Sequence, residues 1–168
     1  MVSVSKMAAI GLCFEQAREK PSPSMTLDPR YLFLLILPFW FLISFLIAQI
    51  GGWGELSRYY RAGNPFDGRR WRFRSGQMRL TTHYNGCLTL GVNSYGFYLA
   101  VFFLFRAGHP PLFIPWQDIF VKTGKILWWP WTEFRFRQAP SVYLKIYGGL
   151  GETIKSEAGT SWAGERSF

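Results

Sequence analysis

The sequence predicts a membrane-anchored, mainly β protein: one transmembrane helix, then a small antiparallel β-barrel or roll capped by a short C-terminal helix. Three observations predict it. Residues 31–54, between Arg30 and Glu55, carry no charged side chain. From Arg70 onward, apolar and polar residues alternate in short runs separated by turn residues, as half-buried strands require. Near the end Leu150, Ile154 and Ala158 recur at every fourth position, the spacing of one helical face.

The apolar run YLFLLILPFWFLISFLIAQI, residues 31–50, has the length that a bilayer core of about 30 Å demands at about 1.5 Å rise per residue. Pro38, Ser44 and Gln49 are interruptions that spanning helices tolerate. Tyr31 and Trp53 fall near the ends, where aromatic rings favour the headgroup level. A cleaved signal peptide is the main competitor, but its apolar region is about 7–15 residues long and ends in a small-x-small site, which Ala48-Gln49-Ile50 does not provide. An uncleaved transmembrane segment over 31–51 is the better reading.

The net charge of +9 is unevenly spread. Seven arginines, Arg58, Arg61, Arg69, Arg70, Arg72, Arg74 and Arg79, crowd just past the apolar run. Basic residues beside a span are retained on the cytoplasmic side, so residues 1–30 are expected to be extracytoplasmic and poorly structured, and the C-terminal domain cytoplasmic. The implied location is a cell inner membrane, crossed once. The natural start could be Met1 or Met25. Residues 8–20 allow a short helix, closed off by the Pro/Ser stretch 21–29.

Residues 52–68 read as a juxtamembrane linker with a flexible Gly51-Gly52 exit, and 69–160 as the β domain, followed by a flexible tail over 161–168. The first strand, around 70–74, alternates Trp71 and Phe73 with Arg70, Arg72 and Arg74, placing rings and guanidinium groups on opposite faces. Further strands are expected at 77–81, 87–92, 95–103, 112–114, 119–122, 126–129, 132–137 and 142–147, with turns at Asn93-Ser94 and Thr123-Gly124 and a loop at 138–141. No helical stretch separates them, so the sheet is antiparallel. Trp116, in the run Leu-Phe-Ile-Pro-Trp, is the expected core anchor, with Phe113 and Ile119 beside it.

Chemistry-bearing residues are sparse. His83 and His109 lie far apart in sequence, and no nucleophile, dinucleotide, P-loop or metalloprotease signature is present. Asp118, Glu133, Glu152 and Glu157 are the carboxylates of the β region, and Asp118 suits a turn. Cys13 and Cys87 flank the apolar run, so neither a disulfide between them nor a metal site is expected. These residues imply no catalytic group, no metal and no cofactor.

A run of antiparallel strands closed by one amphipathic helix resembles the pleckstrin-homology (PH) superfold, in particular its GRAM-like and bacterial PH-like modules. The likeness rests on Gly96-Phe97-Tyr98-Leu99 and on Pro111 through Ile119, with its Pro115-Trp116-x-x-Ile119 step, and covers roughly residues 69–160. The segment Arg106-Ala107-Gly108-His109-Pro110-Pro111-Leu112 is also similar to one found in uncharacterised bacterial single-pass membrane proteins. The resemblance implies a binding or scaffold module and brings no functional residue with it. Arg69, Arg70, Arg72, Arg74 and Arg79 are the candidate contacts to anionic lipid headgroups or to a membrane-protein partner, each attracted to an anionic surface by about 1 kcal/mol. Nucleic acid is not expected, because the rings lie opposite the arginines. The alternative is a small accessory enzyme or apolar-ligand carrier that uses the barrel interior, which requires a cavity rather than a packed centre.

Overall fold

The computed structural model describes residues 29–79 and 82–162. The expectations for residues 1–28 and for the tail beyond 162 lie outside these. Contacts divide the chain into two units, one up to Ile36 and one from Leu37 onward. Of the first unit only the start of a helix is described, and the contacts that follow are internal to the second.

Helix α1, Pro29–Ile50, contains the apolar run, and over Tyr31–Ile50 it is long and apolar enough to cross a membrane. Its side chains from Tyr31 on are exposed, except for buried Ser44 and Ala48. Helix α2 follows at once, Trp53–Tyr60. The break is Gly52, whose φ of 82° is costly for a residue with a Cβ. Trp53, Leu56 and Tyr60 point from α2 into the core, so residues 52–68 are not the linker that their glycines suggest, and Trp53 is not an interfacial ring. A β-like bridge from Arg61 to Leu112 continues the packing.

The strands are β1 Arg69–Met78, β2 Thr82–Val92, β3 Gly96–Val101, β4 Leu112–Pro115, β5 Ile119–Ile126, β6 Trp129–Phe136 and β7 Ala139–Tyr147. They form one antiparallel sheet in the order β4-β3-β2-β1-β7-β6-β5. Strands β4 and β5 are its edges, so among the described residues the sheet is not a hydrogen-bonded closed barrel. Helix α3, Leu150–Ala158, buries Ile154 and Ala158, as the four-residue spacing predicts.

Several expected boundaries shift. The expected strand at 70–74 and the start of the one at 77–81 are a single strand, β1, which ends at Met78 and contains irregularities at 71–74 and 74–76; residues 80 and 81 lie outside the described ones. Three β1 steps from Trp71 to Arg74 match two β2 steps from Leu90 to Leu88, the signature of a bulge. Residues 126–129 are not a strand but the hairpin closing β5 and β6, with Ile126 paired to Trp129 and Leu127 at φ 58°. Thr123-Gly124, the expected turn, lies inside β5. The loop expected at 138–141 shrinks to Arg137-Gln138, since Phe136 already faces Ala139. Beyond Val101 the chain forms a 3₁₀ turn, Phe103–Phe105.

Alternating residues build the core: Leu88, Leu90 and Val92 from β2, Phe97, Leu99 and Val101 from β3, and Val142, Leu144 and Ile146 from β7. Phe97 and Phe134 stack at 5.0 Å in its centre. Trp116 joins this core, its Nε1 donating to Asn93 O at 2.9 Å, and so does Ile119. Phe113 does not: it lies half-buried in a separate cluster with Phe66, Tyr98 and Ala100, because residues at odd and even positions of β4 face opposite ways. Trp162, in the expected tail, packs against Trp116 at 5.9 Å.

Candidate functional site

The bulge in β1 decides where the arginines point. It places Phe73 at φ 56° and leaves the ring 64% exposed. Strict alternation is lost there, so Arg70, Arg72 and Arg74 do not share one face. Arg70 and Arg72 border an outer groove of about 250 Å³ together with Phe73, Phe102, Phe103 and Arg106. Arg74 instead borders a second depression beside Gln77, His83 and Asn85. Ring and guanidinium therefore sit together in the first groove, contrary to the separation that alternation predicts.

The five candidate arginines differ in how free they are. Arg69 pairs with Glu157. Arg70 donates to Phe66 O and lies over the Phe66 and Tyr98 rings at 5.2 and 5.6 Å. Arg79 is committed to holding the fold: it pairs with Glu55 at 2.5 Å and reaches Ile50 O at 3.3 Å and Ser141 Oγ at 3.2 Å. It thus ties the last turn of α1 to α2 and β7, cations being favourable at a helix C-terminus. Arg72 and Arg74 have no ion pair among the described residues, and neither has Arg106, which sequence reasoning passed over. The run Phe102-Phe103-Leu104-Phe105 immediately before Arg106 was the available signal, an apolar stretch ending on a charge.

The groove is fixed in place from behind. Phe102 N donates to Cys87 O at 2.7 Å, and the Phe73 and Phe102 rings lie 5.7 Å apart. On its other side the 3₁₀ turn rests on α1: Trp40 Nε1 donates to Leu104 O at 3.1 Å, and the Trp40 and Phe105 rings are 5.3 Å apart. Gly108, at φ 76°, lies so close that a Cβ there would come within 2.9 Å of Ala48 Cβ and 3.1 Å of Phe45 Cα.

The same loop returns through His109, which is 2% exposed. Its Nδ1 is 3.1 Å from Ala107 O and its Nε2 is 2.9 Å from Tyr84 Oη. A carbonyl only accepts, so Nδ1 carries the proton and Tyr84 donates to Nε2. The Trp53 ring meets the imidazole edge-on at 5.0 Å, and Trp53 Nε1 donates to Pro110 O at 2.8 Å. Burial lowers the His109 pKa and raises that of Tyr84, since desolvation disfavours either charged form. This cluster is a strut between α2, β2 and the loop. His83 is exposed on β2 and takes no part in it.

Asp118 accepts from Tyr60 Oη at 3.3 Å and lies 3.7 Å from Arg137, fastening α2 to the β5 edge. Buried Glu133 is flanked by Arg135 at 2.8 Å and Lys145 at 3.6 Å. Cys87 is a free thiol whose pKa burial raises. Among the described residues no three His, Cys, Asp or Glu side chains gather where a metal ion could be held. No known protein family, characterised protein or solved structure matches this chain.

Proposed function

We propose that this chain is a membrane-tethered, non-catalytic binding module: α1 crosses the inner membrane once, and the sheet domain on the cytoplasmic side holds anionic lipid headgroups in the groove between Arg72 and Arg106. The observation that carries this is the groove itself, where two cations without acidic partners stand beside exposed Phe73 and Phe103. Headgroup phosphates supply the missing counter-charge, at about 1 kcal/mol per arginine near the surface. Because α1 and α2 are joined without slack, the domain stays at the bilayer, and confinement makes weak contacts sufficient.

The meander of strands followed by one helix supports a PH-like reading of the domain, and the arginine excess after the span supports the cytoplasmic orientation. The centre of the domain is occupied by Phe97, Phe134 and Trp116, which favours a surface binder over a carrier or enzyme working from the interior. A membrane-protein partner is the second reading. The exposed hairpin of Ile126, Leu127, Trp128 and Trp129 favours it, because clustered exposed apolar side chains mark contact surfaces.

Full-length protein extracted from bilayers containing anionic and zwitterionic lipid, and weighed intact by native mass spectrometry, tests the headgroup reading. Wild type should retain anionic lipid selectively, and the Arg72→Gln/Arg106→Gln variant should lose that selectivity. Equal retention by both proteins would refute the groove as the site.

A further inference from the structure

We propose that the turn over residues 102–106 is itself inserted into the bilayer, as a second apolar element lying along α1, with Phe103 and Leu104 in contact with lipid acyl chains. The inference rests on the reading of α1 as a membrane span and adds a second embedded element to it.

The depth of the turn follows from its contacts. Leu104 is held to Trp40 and Gly108 to Phe45 and Ala48, so residues 104–108 run along α1 from the level of Trp40 to that of Ala48. Trp40 precedes Ile50 by ten positions, about 15 Å along a helix axis. A hydrocarbon core of about 30 Å that matches Tyr31–Ile50 then has Trp40, and the Leu104 carbonyl bonded to it, near its middle. Moving the bilayer towards the N-terminus to free the turn would leave the exposed Phe41, Leu42, Phe45 and Leu46 of α1 in water.

The composition suits that depth. Phe103 is 66% and Leu104 52% exposed, as open as the helix side chains beside them, and Phe73 extends the apolar edge. In water such an edge is unfavourable; in lipid it is satisfied, each fully buried large side chain contributing about 1.5–3 kcal/mol.

Backbone polarity, the usual obstacle to a non-helical segment in lipid, is largely met from within. Phe105 N donates to Phe102 O at 2.9 Å, Arg106 N to Phe103 O at 3.2 Å and Phe102 N to Cys87 O at 2.7 Å. The Leu104 carbonyl, at the tip, accepts from the indole of Trp40. A Trp in the middle of a span has few reasons to keep a polar N–H, and this bond supplies one. The segment opens on β3 and closes on Arg106, whose long side chain can carry its charge back towards the headgroups.

The test uses the full chain with Cys13 and Cys87 replaced by Ser. Single cysteines are introduced as Leu104→Cys, as Phe41→Cys on the exposed face of α1, and as Tyr95→Cys on the exposed β2–β3 turn. Each carries an environment-sensitive fluorophore in vesicles containing lipids spin-labelled deep in the acyl chain. The Leu104 label should be quenched by the deep spin label to the same extent as the Phe41 label and should lose the iodide quenching seen at Tyr95. Iodide quenching at Leu104 equal to that at Tyr95, with Phe41 still reached from the lipid, overturns insertion and leaves the span intact. Shielding of Leu104 from both quenchers means that protein covers the turn, and also overturns it. Iodide quenching at Phe41 overturns the span and the insertion together. A Phe103→Cys label serves if Leu104→Cys fails to fold, with the same outcomes.

Discussion

Replacing Trp53 by Ala separates a core role from the interfacial role that its position after the apolar run suggests. The ring is fully buried, touches Tyr84 and His109 at centroid distances of 5.8 and 5.0 Å, and donates its N–H to Pro110 O at 2.8 Å. Truncating a buried Trp costs about 3–5 kcal/mol through lost transfer energy and the residual cavity. The orphaned Pro110 carbonyl costs about 1–3 kcal/mol more unless water enters. Out of a typical total of about 5–15 kcal/mol, this is a large loss. At roughly 4 °C per kcal/mol for a domain of this size, the midpoint should fall by more than 10 °C. The assay is thermal unfolding of the full-length protein in nanodiscs, followed by near-ultraviolet circular dichroism, with Trp53→Phe as the companion that keeps an aromatic ring but loses the donor and part of the indole's volume. Trp53→Phe should fall between wild type and Trp53→Ala. A Trp53→Ala shift under about 4 °C, equivalent to less than about 1 kcal/mol, would show that α2 is not part of the core.

The Trp116→Ala variant, which empties the space between Phe97 and Trp162 and frees Asn93 O, should lose about 3–5 kcal/mol in the same assay. Gly108→Ala forces a Cβ against Ala48 and Phe45 at positive φ; it should loosen the turn from α1, read as increased exposure of Trp40 fluorescence, while Gly63→Ala, where a Cβ meets nothing, should not. His109 has a folded pKa below its ordinary value of about 6.5, so the unfolded chain binds more protons and stability rises with pH in that window. Stability should therefore be full above about pH 6.5 and decline below it until the folded pKa is passed, and His109→Asn should flatten the decline in denaturant titrations between pH 5 and 7.

The apolar helix was legible because length and absence of charge alone define it. The terminal helix was legible because Leu150, Ile154 and Ala158 need no partner to reveal a face. Strand positions survived in outline since alternation persists through much of β2 and β7, while β3, buried throughout, reads as a short apolar run bounded by turn residues. What failed was local. A bulge at Phe73 leaves no mark in a pattern of period two, so the arginines seemed to share one face. Leu127-Trp128 forms a turn with two large apolar residues, where turn chemistry favours Gly, Asn or Asp. Gly124 reads as a turn residue, yet a Cβ there would meet the Trp131 ring, so it serves close packing inside a strand. Trp53 and His109 were misread or left open because their partners, Pro110 and Tyr84, are 57 and 25 residues away, and such pairings are properties of the fold. Arg106 was missed for the same reason: only the folded chain brings it beside Arg72.

Amide hydrogen exchange on the full-length protein in nanodiscs of anionic and of zwitterionic lipid tests the central claim most directly. Binding of headgroups in the Arg72–Arg106 groove predicts slower exchange over residues 69–74 in anionic discs than in zwitterionic ones, with the hairpin at 126–129 unchanged and residues 102–106 protected alike in both. Exchange over residues 69–74 that is the same in both lipids would contradict it.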